Sequence, residues 1–369
     1  MRVRFLPRGQ SMKKKIAIFF GVLAVLGLSV AYTLGFFSFK ELALNPAEAE
    51  KTFPLVSTSF KDIRAVYMTA PVAQTPSWVN KIISLVASSS ELNAVVVNVK
   101  DENGVEFGDW TEPLVVKLRA AGIYPIARIV VFQDNAFAKS RPDLALHDKD
   151  GKLWTADKGN YLWLDPASKE VWDRTVTLAE QALDDGFKEI NFDYVRFPSD
   201  GDNGDPVYPV YDGKTSKEEV IKNFFEYLTA KVHKDRPGSI LSADLFAYTF
   251  IENNGLGIGQ LAGNAGKYFD VISPMVYPSH YTPGDFGFSN PAKEPYQVIL
   301  QTLDSGKVFL DEASSTAVIR PWIQDFDLGA VYDAPMIKEE IQAIKDAGYG
   351  DTWMDWNPKN VYDSEKFVK

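Results

Sequence analysis

From residue 63 onward, short and almost wholly apolar runs alternate with longer amphipathic stretches. The run at 93–101, Asn-Ala-Val-Val-Val-Asn-Val-Lys-Asp, is too apolar for a half-exposed strand and fits one covered on both faces, as in a parallel sheet. Comparable runs at 63–69, 124–132, 240–247, 271–277, 318–324 and 352–356 predict further strands. Another is predicted in the first half of 189–200, where Ile190, Phe192 and Tyr194 alternate with Asn191, Asp193 and Val195 until Pro198 stops the ladder. Helical spacing predicts helices at about 76–89, 112–121 (closed by Gly122), 169–185, 216–235, 258–265, 296–305 and 335–347. The stretch 133–168 has no strong pattern, and a connection that long is usually functional. Eight β–α units, the last helix short or missing, predict one α/β domain over residues 61–369, a (β/α)8 TIM barrel.

Ahead of the barrel, residues 16–37 form 22 consecutive positions without a charge, long enough to cross a bilayer as one helix. Residues 1–15 hold six basic side chains and no acidic ones, so the positive-inside rule keeps this end in the cytoplasm and puts the barrel outside. A membrane anchor at 16–37 and a linker at 38–60 are therefore expected. A cleaved signal, which would leave the barrel secreted, fits less well. The run exceeds the usual ~7–15-residue apolar core, and the small-x-small sites near Ala43 and Ala47–Ala49 lie far from it. Met12-Lys-Lys-Lys would also serve as a start.

Beyond residue 15 the chain carries 33 basic against 49 acidic residues, which argues against nucleic acid or an anionic surface as partner. The absence of cysteine excludes disulfides, thiolate nucleophiles and thiolate-bound metal. With His147, His233 and His280 as the only histidines, no metal site is expected. No cofactor is called for, and no protein partner can be inferred. The loop Asp200-Gly-Asp-Asn-Gly-Asp205 fails the calcium-loop pattern at its fifth and twelfth positions and reads as a solvated acidic loop.

What changes the picture is the chemistry at the carboxyl ends of the predicted strands, where barrels of this kind keep their reactive groups. Those ends supply Tyr67 and Thr69, then Asn98, Lys100 and Asp101, then Arg128, then Asn191, Asp193 and Arg196. Farther along come Asp244, Tyr277 with His280, then Trp322, Gln324 and Asp325, and finally Trp356 and Asn357. An isolated inward carboxylate is usually a satisfied core residue, but a ring of carboxylates, amides and aromatics around one barrel end suits carbohydrate chemistry. Glycosidic cleavage needs one carboxyl group to protonate the leaving oxygen and another as nucleophile or base. Asp193 is the first candidate for nucleophile and Asp244 for its partner, with Asp325 as substitute. Alternation on the seventh strand can instead turn Arg320, Trp322 and Gln324 inward and leave Asp325 at the rim. Glu102 is the one glutamate at a strand end. Tyr67, Lys100, Asp101, Arg128, Asn191, Arg196, Tyr277, His280, Trp322, Gln324, Trp356 and Asn357 are the expected substrate-binding residues.

Four segments, FDYVRFPSDG at 192–201, YPIARIVVFQD at 124–134, SPMVYPSHY at 273–281 and RPWIQDF at 320–326, resemble a bacterial glycosyl-hydrolase-like barrel domain family of unknown function. The resemblance covers about residues 62–360. It implies a TIM barrel and places Asp193 on the family's strand-four motif, with Tyr277, His280, Trp322, Gln324 and Asp325 on its later ones. Asp355 stands where an apolar residue is expected. Together these readings describe a membrane-anchored glycosidase acting on an extracytoplasmic polysaccharide. The alternatives are a non-catalytic carbohydrate-binding barrel, or another polysaccharide-modifying hydrolase such as a metal-assisted deacetylase.

Overall fold

A computed structural model describes residues 53, 55–105, 107–156, 161–199 and 205–368. The expected basic N-terminus, the apolar span 16–37, most of the linker and positions 200–204 of the acidic loop lie outside them. Among the described residues no helix is long and apolar enough to cross a membrane.

Eight parallel strands close into a barrel. They are β1 (Arg64–Met68), β2 (Ala94–Lys100), β3 (Tyr124–Val130), β4 (Glu189–Asp193), β5 (Ile240–Phe246), β6 (Val271–Met275), β7 (Val318–Ile319 and Trp322–Gln324) and β8 (Trp353–Trp356). Each pairs with its sequence neighbours, β8 returns to β1, and Trp322 bridges β6 and β8 by facing Met275 and Met354. Around them run α1 (Pro76–Ser88), α2 (Thr111–Ala120), α3 (Lys169–Asp184), α4 (Lys217–Asp235), α5 (Ala262–Tyr268), α6 (Pro295–Glu312) and α7 (Ala334–Asp346). Side chains at the helix starts satisfy amides that have no intrahelical partner. Ser168 accepts from the Val171 N–H, Ser216 from Glu219 and Asp333 from Met336.

The expected order of elements holds, with three local differences. The seventh strand is interrupted at Arg320–Pro321, since Pro321 has no N–H to give the ladder. Helix α5 begins four residues later than its spacing predicts, because Gly255, Gly257 and Gly259 all take positive φ just before it. Helix α6 continues through Ser305-Gly306 to Glu312. The stretch 133–168 also has structure of its own, a short helix Asn135–Ser140 and a hairpin pairing Thr155–Ala156 with Tyr161–Leu162.

Inside the barrel the two halves differ. Toward β8, β1, β2 and β3 the interior is apolar, with Ala65, Ala94, Val96, Ile126 and Met354 in one buried cluster that also takes in Tyr67, Tyr277 and Trp322. Toward β4, β5 and β7 it is polar. Alternation turns Glu189, Asn191 and Asp193 inward, while Phe192 packs outward against Phe269. Near the N-terminal end of the strands Glu189 pairs with Arg320 at 2.7 Å, both fully buried, and also accepts from the Ser242 hydroxyl at 2.7 Å. The second Arg320 amino group donates to the Phe60 carbonyl, tying the segment before β1 to the barrel floor.

Candidate active site

At the other end of the same strands lies a cavity of about 320 Å3. Asp193, the last residue of β4, and Asp244 on β5 both line it. The register pairing Phe192 with Ala243 puts the two aspartates at one height on adjacent strands, ~5 Å apart at the backbone. Between them stands Arg128 of β3. Its Nη2 donates to Asp193 Oδ2, its Nε lies 3.9 Å from Asp244 Oδ2, and its Nη1 donates to Asn98 Oδ1 at 2.9 Å. Both carboxylates thus face the same Nε–Nη2 edge of one guanidinium.

The surroundings of the two acids are unequal. Asp193 Oδ1 accepts from the Tyr194 N–H at 2.6 Å. Asp244 is 1% exposed, and its Oδ1 accepts from Asn191 Nδ2 at 2.8 Å and from Trp322 Nε1 at 2.7 Å. Burial, then the charge of Asp193, pushes the Asp244 carboxyl well above the usual carboxylate range, against the opposing pull of Arg128 and the two N–H donors. Burial disfavours the Arg128 charge, but Asp193, Tyr67 and Asp244 outweigh it, so the guanidinium is held firmly protonated. Facing one cation alongside a second carboxyl group, the deeper acid is the one whose environment favours the protonated form.

Aromatic rings and a second cation complete the wall. Tyr67, Tyr277, His280, Trp322 and Trp356, all expected from the sequence, line the cavity. Tyr277 and Trp356 pack with centroids 5.1 Å apart, and burial lowers the His280 pKa. Arg196 lines it too, its guanidinium 4.5 Å from the Phe246 ring centroid and donating to the Phe197 carbonyl and the Ser199 hydroxyl at 3.1 Å.

Other expected residues stand behind this layer. Asn191 positions Asp244, while Gln324 accepts from the Ser279 N–H at 3.1 Å and donates to the Phe326 carbonyl, bracing the loop that carries Tyr277 and His280. Lys100 does not line the cavity. It is sealed inside, 3.2 Å from Asp134 and donating to the Gln133 carbonyl, and burial, partly offset by Asp134, pushes its pKa down to about 8. Asp101 closes its own turn by accepting from the N–H groups of Asn103 and Gly104. Asn357 likewise serves its loop, donating to the Val361 carbonyl and accepting from the Lys359 N–H. Asp325 points away from the cavity into the helix layer, where it pairs with Lys366. Alternation on β7 allows no other outcome once Trp322 and Gln324 face inward.

Five wall residues lay outside the expected set: Tyr194, Phe246, Ala247, Tyr248 and Met275. Phe246 shares the period-two face of Ser242 and Asp244, so its orientation was readable. Tyr194 was not. Alternation assigns it to the apolar face with Phe192, but its φ of 53° ends the strand and swings the ring onto the cavity.

The barrel is similar to that of the α-galactosidase from Thermus thermophilus, solved with p-nitrophenyl α-D-galactopyranoside. Identity is 14%, the TM-score 0.53, and 87% of this chain aligns with 63% of that one. It is also similar to Amy13B from Eubacterium rectale, with 10% identity, a TM-score of 0.50 and coverage of 85% and 69%. A hypothetical protein from Ruminiclostridium thermocellum is 28% identical over 48% of this chain and 96% of its own, with a TM-score of 0.42. The chain spans less than two thirds of the Thermus enzyme, and the likenesses to it and to Amy13B, at these identities, speak for the barrel alone. No curated protein matches. Residues 65–362 match the family described as "Putative glycosyl hydrolase domain", and the chain belongs to that family.

Proposed function

We propose that the protein is a glycoside hydrolase that uses Asp193 as nucleophile and Asp244 as proton donor, acting on a polysaccharide outside the cytoplasm. The observation that carries this reading is the pair of carboxyl groups on one edge of Arg128, unequal in burial, at the C-terminal end of the strands. A charged carboxylate beside a protonated one is what glycosidic cleavage requires. Asp193 attacks the anomeric carbon as the bond to the leaving oxygen breaks, and the Asp244 proton goes to that oxygen. Water then opens the glycosyl–Asp193 ester and returns a proton to Asp244. Sharing one guanidinium edge keeps the carboxyl groups nearer the ~5–5.5 Å of retaining enzymes than the ~6.5–9.5 Å that inverting ones keep for water. Retention of configuration is therefore expected. Location rests on the apolar span at 16–37 preceded by six basic residues, which suits an anchor with the barrel facing cell-wall or exopolysaccharide.

The test is release of new reducing ends from wall and capsular polysaccharides by the wild type and by Asp193→Asn. Release lost in the variant supports the reading. Equal binding of a polysaccharide by both proteins without release refutes it and leaves a sugar-binding barrel.

A further inference from the structure

A second cavity, of about 260 Å3, adjoins the first and shares with it Tyr67, Arg128, Tyr194 and Trp356. Its own polar lining includes Glu102, Gln133 and Tyr161. Taken singly the two volumes lie at or below the lower end of the ~300–1,000 Å3 usual for ligand sites, and together they fall within it.

What sets this cavity apart is its unspent hydrogen-bonding capacity. Gln133 is 3% exposed, yet among the described residues its side-chain amide has no hydrogen-bond partner. The same holds for the Glu102 carboxylate and for the hydroxyls of Tyr67, Tyr161 and Tyr194. Gln133 and Tyr67 are buried and the other three half-buried, so a row of unspent polar groups along one cavity wall offers partners to a ligand. In the first cavity, by contrast, Asp193 already accepts from Arg128, and Asp244 from Asn191 and Trp322.

Nor is the wall loosely held. Glu102 sits on a turn whose Asp101 carboxylate accepts from two backbone N–H groups. The carbonyls of Glu102 and Asn103 accept from the first amides of the helix Asn135–Ser140, at 2.7 and 3.1 Å. At the centre of that turn Gly104 has a φ of 152°, and a Cβ there would press to 2.9 Å on Ala136.

We propose that this second cavity is a subsite for an uncharged sugar unit next to the bond being cleaved, with Gln133 and Glu102 reading its hydroxyls. An amide, a carboxylate and three phenols supply donors and acceptors together, which matches the mixed capacity of sugar hydroxyls, while Trp356 offers a ring to stack on. An acidic sugar is disfavoured, because among the described residues Glu102 has no ion-pair partner and Arg128 is committed to Asp193 and Asn98. The inference rests on the glycosidase reading only in placing this unit beside the scissile bond; the recognition itself does not.

The test uses the full-length chain in mild detergent on immobilised neutral gluco-, galacto- and manno-oligosaccharides of one to four units, with oligogalacturonates alongside. Neutral sugars of two or more units are expected to bind more tightly than the monosaccharide. Gln133→Leu should weaken binding of the longer sugars by about tenfold while leaving monosaccharide binding and melting temperature unchanged. Glu102→Gln, which removes only the charge, should raise retention of oligogalacturonate. Unchanged length dependence in Gln133→Leu, wild-type retention of oligogalacturonate equal to that of neutral sugars, or no neutral sugar retained would each overturn the proposal. Hydrolysis is scored separately. Release that depends on Asp193 but ignores Gln133 would leave the glycosidase standing and remove the subsite. Binding that depends on Gln133 without any release would do the reverse.

Discussion

Replacing Asp244 by Asn tests whether this buried acid is neutral in the folded protein. The change keeps size and shape. The Asn carbonyl can accept from Asn191 and Trp322 as Oδ1 does now, and the amide takes the place of the protonated oxygen facing Arg128. Burial and the Asp193 charge raise the Asp244 pKa in the fold, so the native state holds a proton that the unfolded chain releases near the ordinary Asp value of ~3.9. Native protein that binds more protons than unfolded protein loses stability as pH rises. This loss starts at the unfolded pKa and ends once pH passes the raised folded one. Within that window one proton is worth about 1.4 kcal/mol per pH unit. Asp244→Asn removes this dependence and nothing else that titrates. Its stability relative to wild type should therefore climb by about 1.4 kcal/mol per unit, or ~3 kcal/mol across two units, from an unremarkable value near pH 4. Urea unfolding of both proteins at half-unit steps from pH 4 to 7 gives the difference directly. A difference that does not change with pH would mean that Asp244 is ionised in the fold, and its assignment as proton donor would fail. Activity should move the opposite way, with hydrolysis of unactivated glycosides falling ~10²–10⁴-fold for loss of a general acid.

Three further outcomes follow from other contacts. Arg320→Met leaves Glu189 buried without its cation and should cost ~3–5 kcal/mol in chemical denaturation, most of it recovered in the double variant with Glu189→Gln. Lys366 is the cation beside Asp325, whose neighbours Asp355 and Glu340 have pKa values raised well above normal, by burial first, then by the charge of Asp325 on Asp355 and of Asp355 on Glu340. Lys366→Met should therefore destabilise more at pH 7 than at pH 5, where protonation of these acids relieves the repulsion; an equal cost in thermal melts at both would contradict this. Gly306→Ala should lower stability by ~1–3 kcal/mol, measured the same way, because a Cβ there would overlap the Phe250 ring.

The barrel was legible because parallel strands covered on both faces must be apolar, and because chemistry projecting into a barrel must interrupt that apolarity at strand ends. Asp193, Asp244, Arg128 and Trp322 were found that way. The errors have equally local causes. Ser305-Gly306 reads as a helix stop, whereas Gly306 stands inside α6 because Phe250 fills the space a side chain would need. Lys100 is polar at a strand end like a ligand-binding residue, but its partner Asp134 lies across a loop that no periodicity reports. Tyr194 depends on a single left-handed residue, and alternation carries no information once φ changes sign.

The edge of Arg128 shared by two acids also bears on the charge balance of turnover. In the proposed cycle the guanidinium stands opposite the charge of the nucleophile, and Asp244 begins with the proton. Asp193 then loses its charge on becoming an ester just as Asp244 gains one by giving up its proton. The trio is therefore electrically neutral before and after each half-reaction, and the negative charge moves only from one side of the same guanidinium edge to the other. A site built this way needs no counterion to enter or leave while the chemistry runs, and only the attacking water has to be admitted among the aromatic rings.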